Sequence, residues 1–166
     1  QCQPNDAMRS AALTLLVLAG CAQEPGDLSG LSAFAQEMTL RGSGSRDSRQ
    51  FVLDLDTLGV EHDESVGAAH ATLSAATLAE NLPAALEILS QTNLRPHFPA
   101  DQLEPARQLL IQEVLAVEDE PSHKAMIELR RLHYPDPWGR PRTGQLEAIE
   151  RIGPADIRAF FERAYR

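Results

Sequence analysis

Apolar and polar positions change their period several times along the chain, and each change marks an element. Leu13 to Ala19 is a short continuous apolar run, the pattern of a strand covered on a face by helices. Gly20 to Gly30, with Pro25 and Gly26 inside it, is a loop. Ser29 is placed to cap the helix that follows, in which Leu31, Phe34 and Met38 recur at helical spacing. Gly42-Ser43-Gly44-Ser45 breaks that helix. A second one starts at about Arg46, with Phe51, Leu55 and Leu58 on one face and Gly59 as its stop.

Val60 to Ala76 alternates as strands do. Ala69, Ala71, Leu73 and Ala75 fall on one side, and His70, Thr72 and Ser74 on the other. Asn81 then reads as an N-cap, with Pro83 in the first turn of a helix to about Thr92. Pro96, Phe98 and Pro99 interrupt the chain. A long helix over about Asp101 to Val117 carries the stripe Leu103, Ala106, Leu110, Val114 and Val117, and another follows Pro121. Tyr134 to Pro141 holds three prolines and a glycine and reads as a loop. Helices over about Gly144 to Arg151 and Pro154 to Tyr165 complete the order: strand, two helices, two strands, then a run of helices. This pattern predicts an α+β sandwich, a sheet with helices packed on one face.

Composition narrows the function. The 166 residues suffice for one domain with its own core. With 15 basic and 24 acidic residues the net charge is -9, which argues against nucleic acid and against an anionic membrane surface as partners. No apolar run is long enough to span a bilayer. Cys2 and Cys21 are too few for a disulfide framework or a thiolate zinc site. Leu18-Ala19-Gly20-Cys21 imitates a bacterial lipoprotein cleavage site after Met8-Arg9 and the run Ala11 to Ala19. However, Gln1 to Ala7 come first and carry no basic charge, contrary to a secretory leader. A buried strand accounts for the same residues.

The order of elements and many single residues resemble one domain of the pitrilysin/insulinase metallopeptidase family, which includes the mitochondrial processing peptidases. The resemblance runs from about Ala12 to Tyr165. Ala19-Gly20-Cys21-Ala22-Gln23-Glu24 is similar to the family's Gly-Ser-x-x-Glu loop, with Cys21 at the Ser position. Gly30 to Met38 and Gly42 fit its catalytic helix, and Leu58-Gly59 the next helix end. Pro96, Phe98, Leu103, Arg107, Glu113, Asp119, Pro121, Tyr134, Gly139, Pro141, Gly144, Ile152, Asp156, Phe160 and Tyr165 follow in order. The resemblance implies a metallopeptidase-like (LuxS/processing-peptidase-like) domain with an antiparallel or mixed sheet. It also implies that residues 1–166 are a single domain within a longer chain, missing its first and last strands.

The family's signature is His-x-x-Glu-His. Two histidines four apart share a helix face and bind zinc, the Glu is the general base, and a Glu from a later helix is the third ligand. In this sequence the pattern falls on Ala33, Gln36 and Glu37. Ala33 has no ligand atom, and the Gln36 amide takes no proton near neutral pH. Only Glu113, at the third-ligand position, keeps the family residue. The expectation is therefore no catalytic residue, no metal and no cofactor. A weak hard cation such as Mg²⁺ or Ca²⁺ between Glu37 and Glu113 is a minor alternative, with a structural, hydrogen-bonded Glu113 at the edge of the buried stripe the favoured one. His62, His70, His97, His123 and His133 form no His-x-x-x-His pair. His62, Asp63 and Glu64 are adjacent, but strand neighbours point to opposite faces. Arg130-Arg131 reads as a solvated helix face and Glu118-Asp119-Glu120 as an exposed helix end.

The implied function is that of an inactive half or subunit. It helps to form a peptide-holding chamber with an active insulinase-type partner, and holds unfolded peptide by adding a sheet edge to it. A structural or peptide-binding protein with no protease partner, or a peptidase with a rebuilt metal site, are the alternatives. Self-association through open sheet edges is a further expectation.

Overall fold

The structure is a computed structural model that describes residues 9–165, the side chain of Glu118 excepted. Cys2 and the segment from Gln1 to Met8 lie outside the described residues.

Three strands form an antiparallel sheet in the order β1-β5-β4, with β1 at Ser10–Val17, β4 at Glu61–Val66 and β5 at Ala71–Leu78. In register, Val17, Ala71 and Val66 lie side by side, as do Leu15, Leu73 and Glu64. These residues face the helices. Ala71, Leu73, Ala75 and Thr77 of β5 are buried, while Ala76 and Leu78 are exposed. The sheet is thus covered on one face, as the alternation predicts.

The helical layer comprises α1 (Leu31–Thr39), α2 (Ser48–Thr57), α3 (Leu82–Leu94), α4 (Leu103–Glu118), α5 (Pro121–His133), α6 (Leu146–Arg151) and α7 (Pro154–Ala164). α1 is central. Leu31, Phe34, Ala35 and Met38 pack with Ala106 and Leu110 of α4, Ile149 of α6 and Phe160 of α7. A second cluster joins Phe51 and Leu55 of α2 to Leu73, Ala75, Ala85, Ile88 and Leu89. Arg107 ties α4 to the α6–α7 connection. Its guanidinium donates to the carbonyls of Ile149 and Ile152, and lies 5.2 Å over the Phe34 ring.

Several expectations needed correction. The first strand is Ser10–Val17, not Leu13 to Ala19; Leu18 is exposed, and Ala19 turns into the helical core. Cys21, in the lipoprotein-like stretch, is fully buried in a short 3-10 turn, Cys21–Gln23. Gly42 to Ser45 does not merely break a helix. It starts a small hairpin, β2 (Gly42–Ser43) with β3 (Arg46–Asp47). The second helix therefore begins at Ser48 rather than Arg46, capped by the Asp47 carboxylate on the Gln50 amide. Asn81 makes no cap; its side chain donates to the Leu58 carbonyl instead. No helix among the described residues is long and apolar enough to cross a membrane.

The largest correction concerns Ser29. Its hydroxyl is buried without a partner, and α1 has Gly30 at its N-cap with no cap from that position. The donors at the helix start go to Glu24. One carboxylate oxygen accepts the Ser32 amide at 2.8 Å and the Ser32 hydroxyl at 2.5 Å, and the other accepts the Gly30 amide at 3.1 Å. A carboxylate also complements the positive end of the helix dipole. Burial pushes the Glu24 carboxyl above its ordinary value, and these donors pull it part of the way back.

Removing this cap orphans buried donors. Glu24→Ala is expected to lower stability by about 3 kcal/mol, read from denaturant unfolding. Glu24→Gln, which keeps an acceptor, should cost less. A loss within about 0.5 kcal/mol for Glu24→Ala would mean that α1 is capped in another way.

Candidate functional site

The helix α1 has two faces with separate duties. Leu31, Phe34, Ala35 and Met38 point into the core. Ala33, Gln36 and Glu37, related as i, i+3 and i+4, line a cleft of about 290 Å³. Glu64 and Val66 of β4, Leu110 and Glu113 of α4, and Arg142 and Thr143 form the rest of its wall. The structure therefore brings together Ala33, Gln36, Glu37 and Glu113.

Each of the polar residues on α1 has a partner. Gln36 is buried, and its side-chain carbonyl accepts a hydrogen bond from the Tyr165 hydroxyl at 2.8 Å. Tyr165 stacks on Phe161, with ring centroids 4.6 Å apart, and burial raises its hydroxyl pKa, so it remains a donor across the physiological range. Glu37 is bound by Arg41 one turn later, at 2.6 Å from Nε and 2.5 Å from Nη2. Glu113 is exposed and has no hydrogen bond or ion pair among the described residues, contrary to the buried-stripe, hydrogen-bonded role expected of it. The cleft wall partly desolvates its carboxyl, and the neighbouring Glu37 charge adds to this, so the group is pushed above its ordinary value.

The histidines go elsewhere. His62 and Glu64 share the core side of β4 and meet at 2.7 Å, as period-two geometry requires. His97 bonds the Gly44 carbonyl at 2.7 Å, His123 lies 3.8 Å from Glu120, and His133 packs edge-on against Tyr134. Among the described residues no group of three or more His, Cys, Asp or Glu is placed to hold a metal ion.

The sequence profile described as Insulinase (Peptidase family M16) matches residues 2–137. The chain belongs to the insulinase family, peptidase family M16. An uncharacterized zinc protease of Mycobacterium tuberculosis (strain ATCC 25618 / H37Rv) is 24% identical over 96% of this chain. The mitochondrial-processing peptidase subunit beta of Saccharomyces cerevisiae is 23% identical over 98% of it. The chain spans 36% and 35% of the length of those two relatives. Among solved structures, a protease from Helicobacter pylori matches 96% of the chain with a TM-score of 0.88 at 17% identity, the chain covering 39% of it. A peptidase M16 inactive domain from Pseudomonas fluorescens matches 93% with a TM-score of 0.81 at 22% identity, the chain covering 38% of it. These likenesses confirm the α+β metallopeptidase fold.

The zinc of that family does not fit the residues present. Ala33 offers no donor atom, Gln36 offers an amide oxygen already bonded to Tyr165, and Glu37 faces an arginine. Arg41 also competes with any hard cation placed between Glu37 and Glu113. Arg41 was not singled out in the sequence, although its i, i+4 spacing from Glu37 is a signal that identifies the pair. The Tyr165 contact with Gln36 and the approach of Glu64 to the cleft carry no such signal, since both depend on tertiary packing.

The raised Glu113 carboxyl has a signed consequence. Its protonated form is favoured by folding, so its contribution to stability is full below the unfolded value of about 4.3 and is lost as pH rises through the folded value. Glu113→Gln is expected to raise Tm at about pH 7, with the gain shrinking to nothing near about pH 4. Calorimetry at the two pH values checks this; an equal shift at both would remove electrostatics as the cause.

Proposed function

We propose that this chain is a non-catalytic insulinase-family domain that holds extended peptide for an active partner half. The observation that carries the reading is the state of the three motif positions: Ala33 has no ligand atom, Gln36 is held by Tyr165, and Glu37 is held by Arg41. The Pseudomonas fluorescens neighbour, described as an inactive M16 domain, supports it.

The cleft still has the shape of a holding site. β4 is an outer strand of the sheet, and its Glu64, Ser65 and Val66 border the cleft. A peptide that adds to this edge satisfies open backbone groups and runs past α1. The same logic governs self-association. β4 carries Glu61, Asp63 and Glu64 within six residues, and like charges oppose pairing with its own copy. Self-association of the isolated chain therefore runs through β1, the other outer strand. A light-scattering mass of one chain at high concentration would count against it.

Purified protein is expected to contain no stoichiometric zinc and to cleave no peptide alone. Elemental analysis and a peptide-cleavage assay test this, and zinc at one per chain with activity would overturn the reading. The variant A33H/Q36E/E37H, with Glu113 in place, is expected to gain zinc binding in a titration. Arg41 leaves a positive charge beside the restored site, so adding Arg41→Gln should tighten the metal further. Failure of both variants to bind zinc would show that groups supporting the ligands have been lost as well.

A further inference from the structure

The loop after α5 builds a second recess beside the cleft. It measures about 380 Å³ and is lined by Ala68, Arg130, Tyr134, Trp138, Arg140 and Arg142. In a chain of net charge -9, three guanidiniums meet in one place. Their circumstances differ. Arg140 is already engaged: it binds both oxygens of Asp136, at 2.7 and 2.8 Å, and the Glu24 carbonyl at 2.6 Å. It fixes the loop to the start of α1. Arg131, next in sequence to Arg130, pairs outward with Glu128 at 2.9 Å. Among the described residues no carboxylate lies within ion-pairing distance of Arg130 or Arg142. Arg131 is thus the solvated helix-face residue that the sequence suggests, and Arg130 is not.

Position relates this recess to the cleft. Arg142 lines both, so they share a wall. Ala68 belongs to the turn between β4, which ends at Val66, and β5, which starts at Ala71. The recess therefore adjoins the Val66 end of β4, the end toward which an extended chain laid along that strand runs. Behind it, the path is acidic: Glu61, Asp63 and Glu64 on β4, with Glu37 and Glu113 across the cleft. Tyr134 and Trp138 are half exposed, at 51% and 49%, and their rings offer apolar and π surface to a peptide group.

We propose that the recess formed by α5 and the loop from Tyr134 to Arg142 binds a carboxylate of an extended peptide, with Arg130 and Arg142 as its charge partners and Tyr134 and Trp138 as its packing surface. The proposal rests on the peptide-holding reading and names the chemistry of what is held. Paired guanidiniums suit a planar carboxylate through charge-assisted hydrogen bonds. The overall negative charge disfavours a long polyanion such as nucleic acid in the same place. A carboxylate reaches the recess either on a Glu or Asp side chain or at a peptide C-terminus.

Trp138 is the only tryptophan of the chain, so its fluorescence reports on the recess directly. Three fluorescein-labelled Ser/Thr-rich peptides serve as probes: a capped one with adjacent glutamates, its capped glutamine counterpart, and the glutamine counterpart with a free C-terminal carboxylate. Anisotropy reads binding, and unlabelled copies read Trp138. The glutamate peptide is expected to bind roughly tenfold more tightly than the capped glutamine peptide and to change Trp138 emission. That preference should vanish in R130Q/R142Q and fade at about 1 M salt. Arg142 is exposed, so R142Q alone serves if the double variant loses its fold by circular dichroism. A free C-terminus that matches the glutamate peptide supports the proposal and assigns the carboxylate to the chain end. Equal binding of all three peptides, or a preference unaffected by the arginine variants or silent at Trp138, overturns the proposal and leaves the holding reading standing. Binding of none of the three overturns both.

Discussion

The carboxylate of Glu24 is the contact on which the rest of this domain depends. A helix presents unpaired amides at its N-terminus, and a buried start to α1 leaves them out of reach of water. Glu24 supplies the acceptors from a preceding turn, and in doing so folds the loop from Gly20 to Gly30 back onto the helix. Arg140 then grips the Glu24 carbonyl and Asp136 together, so the cap also anchors the loop after α5. Gly30 and Gly144 complete the junction. Both hold positive φ, 104° and 84°, and a Cβ on Gly144 would sit 2.4 Å from the Gly30 Cα. Only two glycines let these backbones cross so closely. One helix terminus thus fixes the position of α1, of the loop that carries Arg142, and of both recesses between them.

Division of labour on α1 separates the motif positions from the residues that hold the fold. The residues at the motif positions occupy the cleft face, and the large apolar residues occupy the opposite one. The polar motif residues on α1 need partners. Tyr165 of the segment after α7 answers Gln36, and Arg41 answers Glu37. On the proposed reading, these motif positions serve structural contacts.

What was legible in the sequence follows from range. Periodicity and Pro/Gly punctuation anticipated the helices and long strands of the described residues, because those patterns are local, though the first strand lies at Ser10–Val17 rather than at Leu13 to Ala19. The β2–β3 hairpin escaped notice, since Gly42-Ser43-Gly44-Ser45 signals only a break and two-residue strands have no period. Ser29 was a natural cap by position, but its hydroxyl was outcompeted by a full carboxylate six residues before Gly30. No local rule assigns a cap across that distance. Within the site, Ala33, Gln36, Glu37 and Glu113 were legible because a helical motif fixes their spacing. Their partners were not: Arg41 was not singled out, and Tyr165 and Glu64 arrive through the tertiary fold.

The two recesses make sense together as one polarised track. Holding a peptide by its backbone alone is tolerant of sequence, because every residue offers the same amide and carbonyl. It is also tolerant of direction and register, since a strand edge presents a repeating ladder. Charge removes that freedom. The β4 end of the track bears Glu61, Asp63 and Glu64, and the other end bears Arg130 and Arg142, which have no carboxylate partner among the described residues. A peptide with a carboxylate meets repulsion at one end and attraction at the other, and like-charge juxtaposition rejects the reversed pose as effectively as the attraction selects the correct one. On the proposed reading, this domain holds peptide rather than cleaving it. Placement of the held chain is then its means of influencing a reaction elsewhere, and a graded charge along the strand edge supplies that placement.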